Sequence, residues 1–192
     1  MEQINRNFRH IRRCFFVAAI FFVGSIFFGY LLALADPTNV FRLVEQTLSG
    51  FSFVKHLNSF LIFAFIFLNN AIKGLIVMIA GTVFGIVPLL FIFINGQLVG
   101  LVIGSAYFLG NPWSTVLGLI PHGIFEVPAI IMSSGYGVWL GYRFYRFLRF
   151  GENFAAYFSF ALRKYMRVIV PLLFVAALIE TFITPYILKS IK

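Results

Sequence analysis

Glu126 and Glu180 are two of only six acidic residues in this chain of 192, and both sit inside long apolar stretches. A charge in hydrocarbon costs ~2.5–3.5 kcal/mol even on the mildest insertion scale, so each needs a partner. His122 precedes Glu126 by four residues, and a helical turn started at Pro121 puts both side chains on one face. Pro121-His122-Gly123-Ile124-Phe125-Glu126-Val127-Pro128 is thus a polar step bracketed by prolines. Completed by Glu180, Asn69 or Asn95, His122 and Glu126 would form half of a metal or proton site. The plainer reading is mutual satisfaction of buried polar groups. Asn69, Asn70 and Asn95 carry the same two readings, hydrogen bonds between helices or the lining of a pathway. Lys73 is expected to snorkel toward a membrane surface.

Hydrolytic chemistry is weakly supported. His-x-x-x-Glu is compatible with metal ligation on one helix face, as an intramembrane metalloprotease would need. The chain has no His-Glu-x-x-His, however, and His10 and His56 lie in or near polar intervals. Ser133-Ser134-Gly135 has only His122, on its own segment, as an intramembrane base. A non-enzymatic protein without a cofactor is expected, and any metal is left unknown.

The elements that must hold these residues follow from composition. At 61% hydrophobic and 11% charged residues, the chain is too apolar for a soluble domain, and lipid is the solvent that accepts it. A single Cys14 excludes an internal disulfide. The expected fold is an all-α polytopic transmembrane helix bundle of about five spans, one integral membrane domain over residues 1–192, with kinked or re-entrant helices and interfacial amphipathic helices.

The first span runs from Cys14 to Ala35, after Arg6, Arg9, Arg12 and Arg13. Ala33-Leu34-Ala35 imitates a signal-peptidase site, but the apolar run exceeds the ~7–15 residues of a signal-peptide core, so an uncleaved anchor is expected. Asp36 to Lys55 reads as an interfacial connector. A possible Asn39 cap there introduces a short helix with Phe41, Val44 and Leu48 on one face, ended by Gly50. Ser59 to Gly110 accommodates two crossings with a tight turn near Gly85 to Pro88, or three shorter helices if Asn69, Asn70 and Lys73 mark a break. Trp113 to Leu140, broken by Pro121 and Pro128, is expected to be kinked or re-entrant. Gly141 to Arg167 reads as a pair of surface helices, with Arg143, Arg146, Arg149, Arg163, Lys164 and Arg167 among aromatic rings at lipid headgroups. Nucleic acid is not implied, because apolar spans bound this segment on both sides. Val168 to Leu188 is the last span.

The formal charge of +9 acquires meaning once the charges are placed. If both basic segments face the cytoplasm, an even number of crossings separates them, which selects five spans in all. The N-terminus is then cytoplasmic and the C-terminus external.

Small residues four apart let helices approach closely in lipid. Gly96, Gly100 and Gly104 form the clearest row, and Gly81 with Gly85, Gly137 with Gly141, and Ser25 with Gly29 repeat the spacing. The rows fit packing within one chain or between copies, so a homo-oligomer stays open.

Asn69-Asn70, Gly81, Gly85, Asn95-Gly96, Gly100, the Pro121 to Glu126 step and Ile179-Glu180-Thr181-Phe182-Ile183-Thr184-Pro185 together resemble the stage II sporulation protein M family of integral membrane proteins. The resemblance implies a cell-membrane, multi-pass protein, and in spore formers an anchor for a peptidoglycan-remodelling complex during engulfment. It implies a shared polar cluster at His122, Glu126, Glu180, Asn69 and Asn95 without established chemistry for it. Two functions follow as expectations. One is a membrane scaffold or assembly factor with membrane-protein partners. The other is a small transporter or channel using His122, Glu126 and Glu180.

Overall fold

The computed structural model describes residues 2–49, 57–106 and 112–190, the side chains of 2–8, 47–49, 112–116 and 122 excepted. Helix is the only regular structure among the described residues. Five helical stretches are long and apolar enough to cross a bilayer, Arg9–Ala35, Ser59–Ala80, Ile86–Ala106, Gly123–Phe150 and Phe154–Ser190, which is the number expected from the charge pattern.

Helix α1 (Glu2–Ala35) stops at Asp36, and α2 (Pro37–Ser49) starts with Pro37 at its first position, where a missing N–H costs nothing. The Asp36 carboxylate accepts from the Asn39 backbone N–H at 3.3 Å and from Asn39 Nδ2 at 2.7 Å. Asp36 therefore caps this helix and Asn39 supports the cap, a correction to the expected order, because the side chain before Pro37 is the one aimed at the free N–H groups. Val44 is buried against Ala33 and Leu101, so α2 lies on the bundle's end by its apolar face. Gly50 lies outside the described residues.

Asn58 accepts from the Leu61 N–H at 2.9 Å and starts α3 (Ser59–Ala80). The turn at 81–85 reverses the chain into α4 (Ile86–Ala106), with Phe84 at φ 50° and Gly85 at φ 75°. Asn69, Asn70 and Lys73 do not break the helix, so this region forms two crossings.

Helix α5 (Pro112–Phe150) carries Pro121 and Pro128 inside one uninterrupted helix. Each proline removes one backbone bond, and the neighbouring turns hold the helix together. The expected division at Leu140 and the surface helix pair after it are not found. The basic aromatic segment is instead the end of α5 and the start of α6 (Phe154–Lys164), joined by a turn at 151–153. Gly151 adopts φ 67° and its N–H bonds the Phe147 carbonyl at 2.9 Å, while Asn153 caps α6 through the Ala156 N–H at 3.2 Å.

From α6 the chain continues through a wide π turn (Tyr165–Ile169), α7 (Val170–Leu178), a second π turn (Ile179–Ile183) and α8 (Thr184–Ser190). Both wide turns end two residues before a proline, Pro171 and Pro185. A proline ring clashes with the carbonyl four residues back, and a turn widened by one residue moves that carbonyl aside.

Packing rests on the glycine rows. Along α4, Gly96 meets Phe22 and Ser25, Gly100 meets Ile26 and Tyr30, and Gly104 meets Tyr30 and Ala33, so α4 runs parallel to α1 in backbone contact. A side chain on Gly100 would land on the Ile26 carbonyl. Gly81 and Gly85 pack likewise against Gly137, Val138 and Gly141 on α5. These rows are thus used within the chain. The largest core, around Met78, Tyr136, Trp139, Leu140, Tyr165 and Ile169, lies toward the end where α5 meets α6.

Candidate functional site, a polar pocket between α3, α4 and α5

Asn70 lies eleven residues from the start of α3 and ten from its end, roughly 15 Å from either at 1.5 Å per residue. Its side-chain Nδ2 donates to Glu126 Oε1 on α5 at 3.3 Å, and Asn69 Nδ2 donates to Asn70 Oδ1 at 3.3 Å. Asn95 Nδ2 donates to the Phe91 carbonyl of its own helix at 2.8 Å. Between these groups lies a cavity of about 260 Å³, lined on its polar side by Asn70, Lys73, Asn95, Glu126 and Ser133. That is below the ~300–1,000 Å³ of drug-sized ligand pockets and enough for several waters, an ion or a small solute.

The neighbouring elements explain the space. Gly74 faces both Ser133 Oγ and the Tyr165 hydroxyl, and a side chain at Gly74 would crowd them. Tyr165 donates to the Ala71 carbonyl from the first π turn, bracing α3. Ser133 is buried, and its hydroxyl has no hydrogen-bond partner among the described residues. An orphan buried hydroxyl is costly unless something fills the adjoining space.

The expected cluster is brought together in part. Glu126, Asn69 and Asn70 form a connected chain, and Asn95 lines the same cavity. Glu180, on the second π turn, is close enough to Glu126 for the two carboxyl groups to interact electrostatically, but it is not one of the cavity's lining residues. His122 lies on α5 one turn before Glu126, and its side chain lies outside the described residues. Among the described residues, no group of three His, Cys, Asp or Glu could hold a metal ion. From sequence, Ser133 is weighed only as a nucleophile and Lys73 is sent to the surface. Lys73 is exposed yet borders the cavity, so it stands at the mouth.

A second polar centre lies at the basic end. Arg143 was expected at headgroups, but it is only 6% exposed. Its guanidinium lies 4.3 Å from the Tyr157 ring centroid and 5.4 Å from that of Trp139. Nη1 donates to Glu152 at 3.3 Å, and Arg146 Nε donates to the same carboxylate at 2.6 Å. Aromatic faces and one carboxylate replace the water that Arg143 loses. Arg149, Arg163, Lys164 and Arg167 are exposed, and Arg146 is partly so. Trp139 and Arg143, four apart beside a single nearby Glu152, were the sequence signal for this centre.

A family model described as Stage II sporulation protein M matches residues 18–185, a stretch that contains every residue of the cavity. The chain is 31% identical over 129 residues to an uncharacterized protein of Methanocaldococcus jannaschii, covering 62% of this chain and 70% of that protein. No solved structure matches the chain.

Proposed function

The chain belongs to the stage II sporulation protein M family, and from that premise we propose that it is a membrane protein whose working site is the cavity beside Glu126. There it would bind and pass a proton, an ion or a small polar solute. A junction that served only to hold helices would pack its polar groups against one another. Here Glu126 receives a long bond from Asn70, Ser133 has no partner among the described residues, and open volume separates them. That under-filled polar space, about fifteen ångströms along α3 from either end by helix rise, is the observation that carries the reading. The role is non-enzymatic, since it requires no covalent step.

The orientation follows the basic end. Arg9, Arg12 and Arg13 begin the first span, and His10 stacks on Tyr142 at 5.4 Å, which sets them beside Arg143, Arg146 and Arg149. With five crossings we place this end and the N-terminus in the cytoplasm and the C-terminus outside. Reconstituted in phospholipid vesicles, the protein should carry protons or small ions at a rate that falls at least tenfold in Glu126→Gln. No flux from the wild type across a panel of protons, monovalent cations and small amines would end the proposal.

A scaffold or assembly role is the second reading, and α3 is what favours it. This helix buries only Gly74, Val77 and Met78 and leaves Phe60, Leu68, Ile72, Lys73 and Ile76 uncovered. A lysine on an uncovered face at that depth is a natural contact for an acidic partner helix or a second copy. Lys73→Leu would then abolish co-purification of a partner or the oligomer while leaving the monomer folded.

A further inference from the structure

At the basic end, α1 and Ile131 of α5 line a shallow open groove of about 840 Å³ outside the polar cavity. Its rim carries Arg9, Arg12 and Arg13, and its floor is Phe15, Phe16, Val17, Ala19 and Ile131. The arginines are three and four residues apart, so they share one face of α1. From Arg9 to Ala19 the helix rises roughly 15 Å, about half of a ~30 Å hydrocarbon layer. The groove is therefore cationic at headgroup depth and apolar through one leaflet. Among the described residues, the acidic side chain at this end is Glu152, already engaged by Arg143 and Arg146. We infer that this groove binds one anionic glycerophospholipid, its phosphate held by Arg9, Arg12 and Arg13 and one acyl chain laid along Phe16, Val17 and Ile131. Scattered basic residues at an interface attract anionic lipid diffusely, whereas three arginines set over one apolar groove between α1 and Ile131 favour a single bound lipid. Arg9, Arg12 and Arg13 precede the stretch matched by the family model.

The test is native mass spectrometry of the full chain released from detergent micelles containing equal phosphatidylglycerol and phosphatidylcholine. One retained phosphatidylglycerol per chain is expected. Retention should fall roughly five-fold for each arginine replaced in the series Arg9→Gln, Arg12→Gln and Arg13→Gln. Removing arginines also weakens the topology signal, so Ile131→Trp, which fills the floor without changing charge, is the companion variant. It should lower retention with all three arginines present. The triple variant Arg149→Gln, Arg163→Gln and Arg167→Gln loses the same charge elsewhere and should retain the lipid. Equal retention of the two lipids by the wild type, full displacement by inorganic phosphate, or undiminished retention in both the arginine and Ile131→Trp variants would each overturn the assignment.

Discussion

Asn70 on α3 and Glu126 on α5 are 56 positions apart in sequence and meet through a single 3.3 Å hydrogen bond at the edge of a cavity. Interhelical hydrogen bonds in membrane proteins average about 0.6 kcal/mol, with about 1.7 kcal/mol at the top of the range. A double-mutant cycle with Asn70→Ala and Glu126→Ala, each of which removes the bond, measured as unfolding free energy in mixed micelles, should give a coupling near 0.6 kcal/mol or below. A coupling near 1.7 kcal/mol would favour a structural junction over a binding site.

Glycine supplies a sharper contrast. Gly100 on α4 abuts the Ile26 carbonyl, whereas a side chain on Gly24 of α1 would meet nothing within 4 Å. Gly100→Ala should therefore destabilise the bundle by about 1–3 kcal/mol through overpacking. Gly24→Ala should be neutral or slightly stabilising, since Ala loses less backbone entropy in a helix. Thermal unfolding in one detergent decides it; equal melting temperatures for the two variants would remove the close α1–α4 approach as a source of stability.

These two cases show where the sequence was legible. Spacing alone marked Gly96, Gly100 and Gly104, because the four-residue repeat is itself the geometry of a smooth helix face. Hydropathy and charge parity together gave five spans, since both depend on position along the chain. Asn70 as the partner of Glu126 required knowing how α3 and α5 are rotated about their axes, and no local pattern encodes that. Ser133 was weighed as a nucleophile and not as a cavity residue for a similar reason: its hydroxyl matters for the space beside it, which belongs to four helices at once. The surface placement of Arg143 failed because the rule for basic aromatic segments counts charges and ignores Glu152, nine residues on, which lets one guanidinium leave water. The π turns before Pro171 and Pro185 were also unforeseen, since a proline announces a lost backbone bond without saying how the helix absorbs it.

Arg143 and Glu152 make a prediction with a sign reversal in it. Replacing Glu152 with Gln leaves a buried guanidinium without its counter-ion, an arrangement that costs about 3–5 kcal/mol when the pair is well buried. Glu152 keeps 23% of its side-chain surface, so the lower end of that range is expected. Adding Arg143→Met to Glu152→Gln should restore part of the lost stability, because the double variant has no buried charge left here; Arg146, which also loses Glu152, keeps 36% of its side-chain surface. Chemical denaturation in micelles checks both steps. If Arg143→Met makes Glu152→Gln worse, the aromatic contacts of the guanidinium matter more than the ion pair.

Orientation can be read by thiol labelling without altering any charge. Thr38 on α2 and Ala155 on α6 are both exposed and lie at opposite ends of the bundle, since Asp36 closes the first span and α6 follows the Arg143 turn. In a Cys14→Ser background, Thr38→Cys should react with a membrane-impermeant maleimide in intact cells, and Ala155→Cys only after permeabilisation. The physical basis is that, among the described side chains, Arg9, Arg12, Arg13, Arg143, Arg146, Arg149, Arg163, Lys164 and Arg167 gather at one end against Arg42 and Lys189 at the other, a bias from which the positive-inside rule predicts a cytoplasmic basic end. Labelling in the reverse order would place the arginine groove in the outer leaflet. Equal labelling of both sites before permeabilisation would mean dual insertion, which the charge difference between the ends argues against.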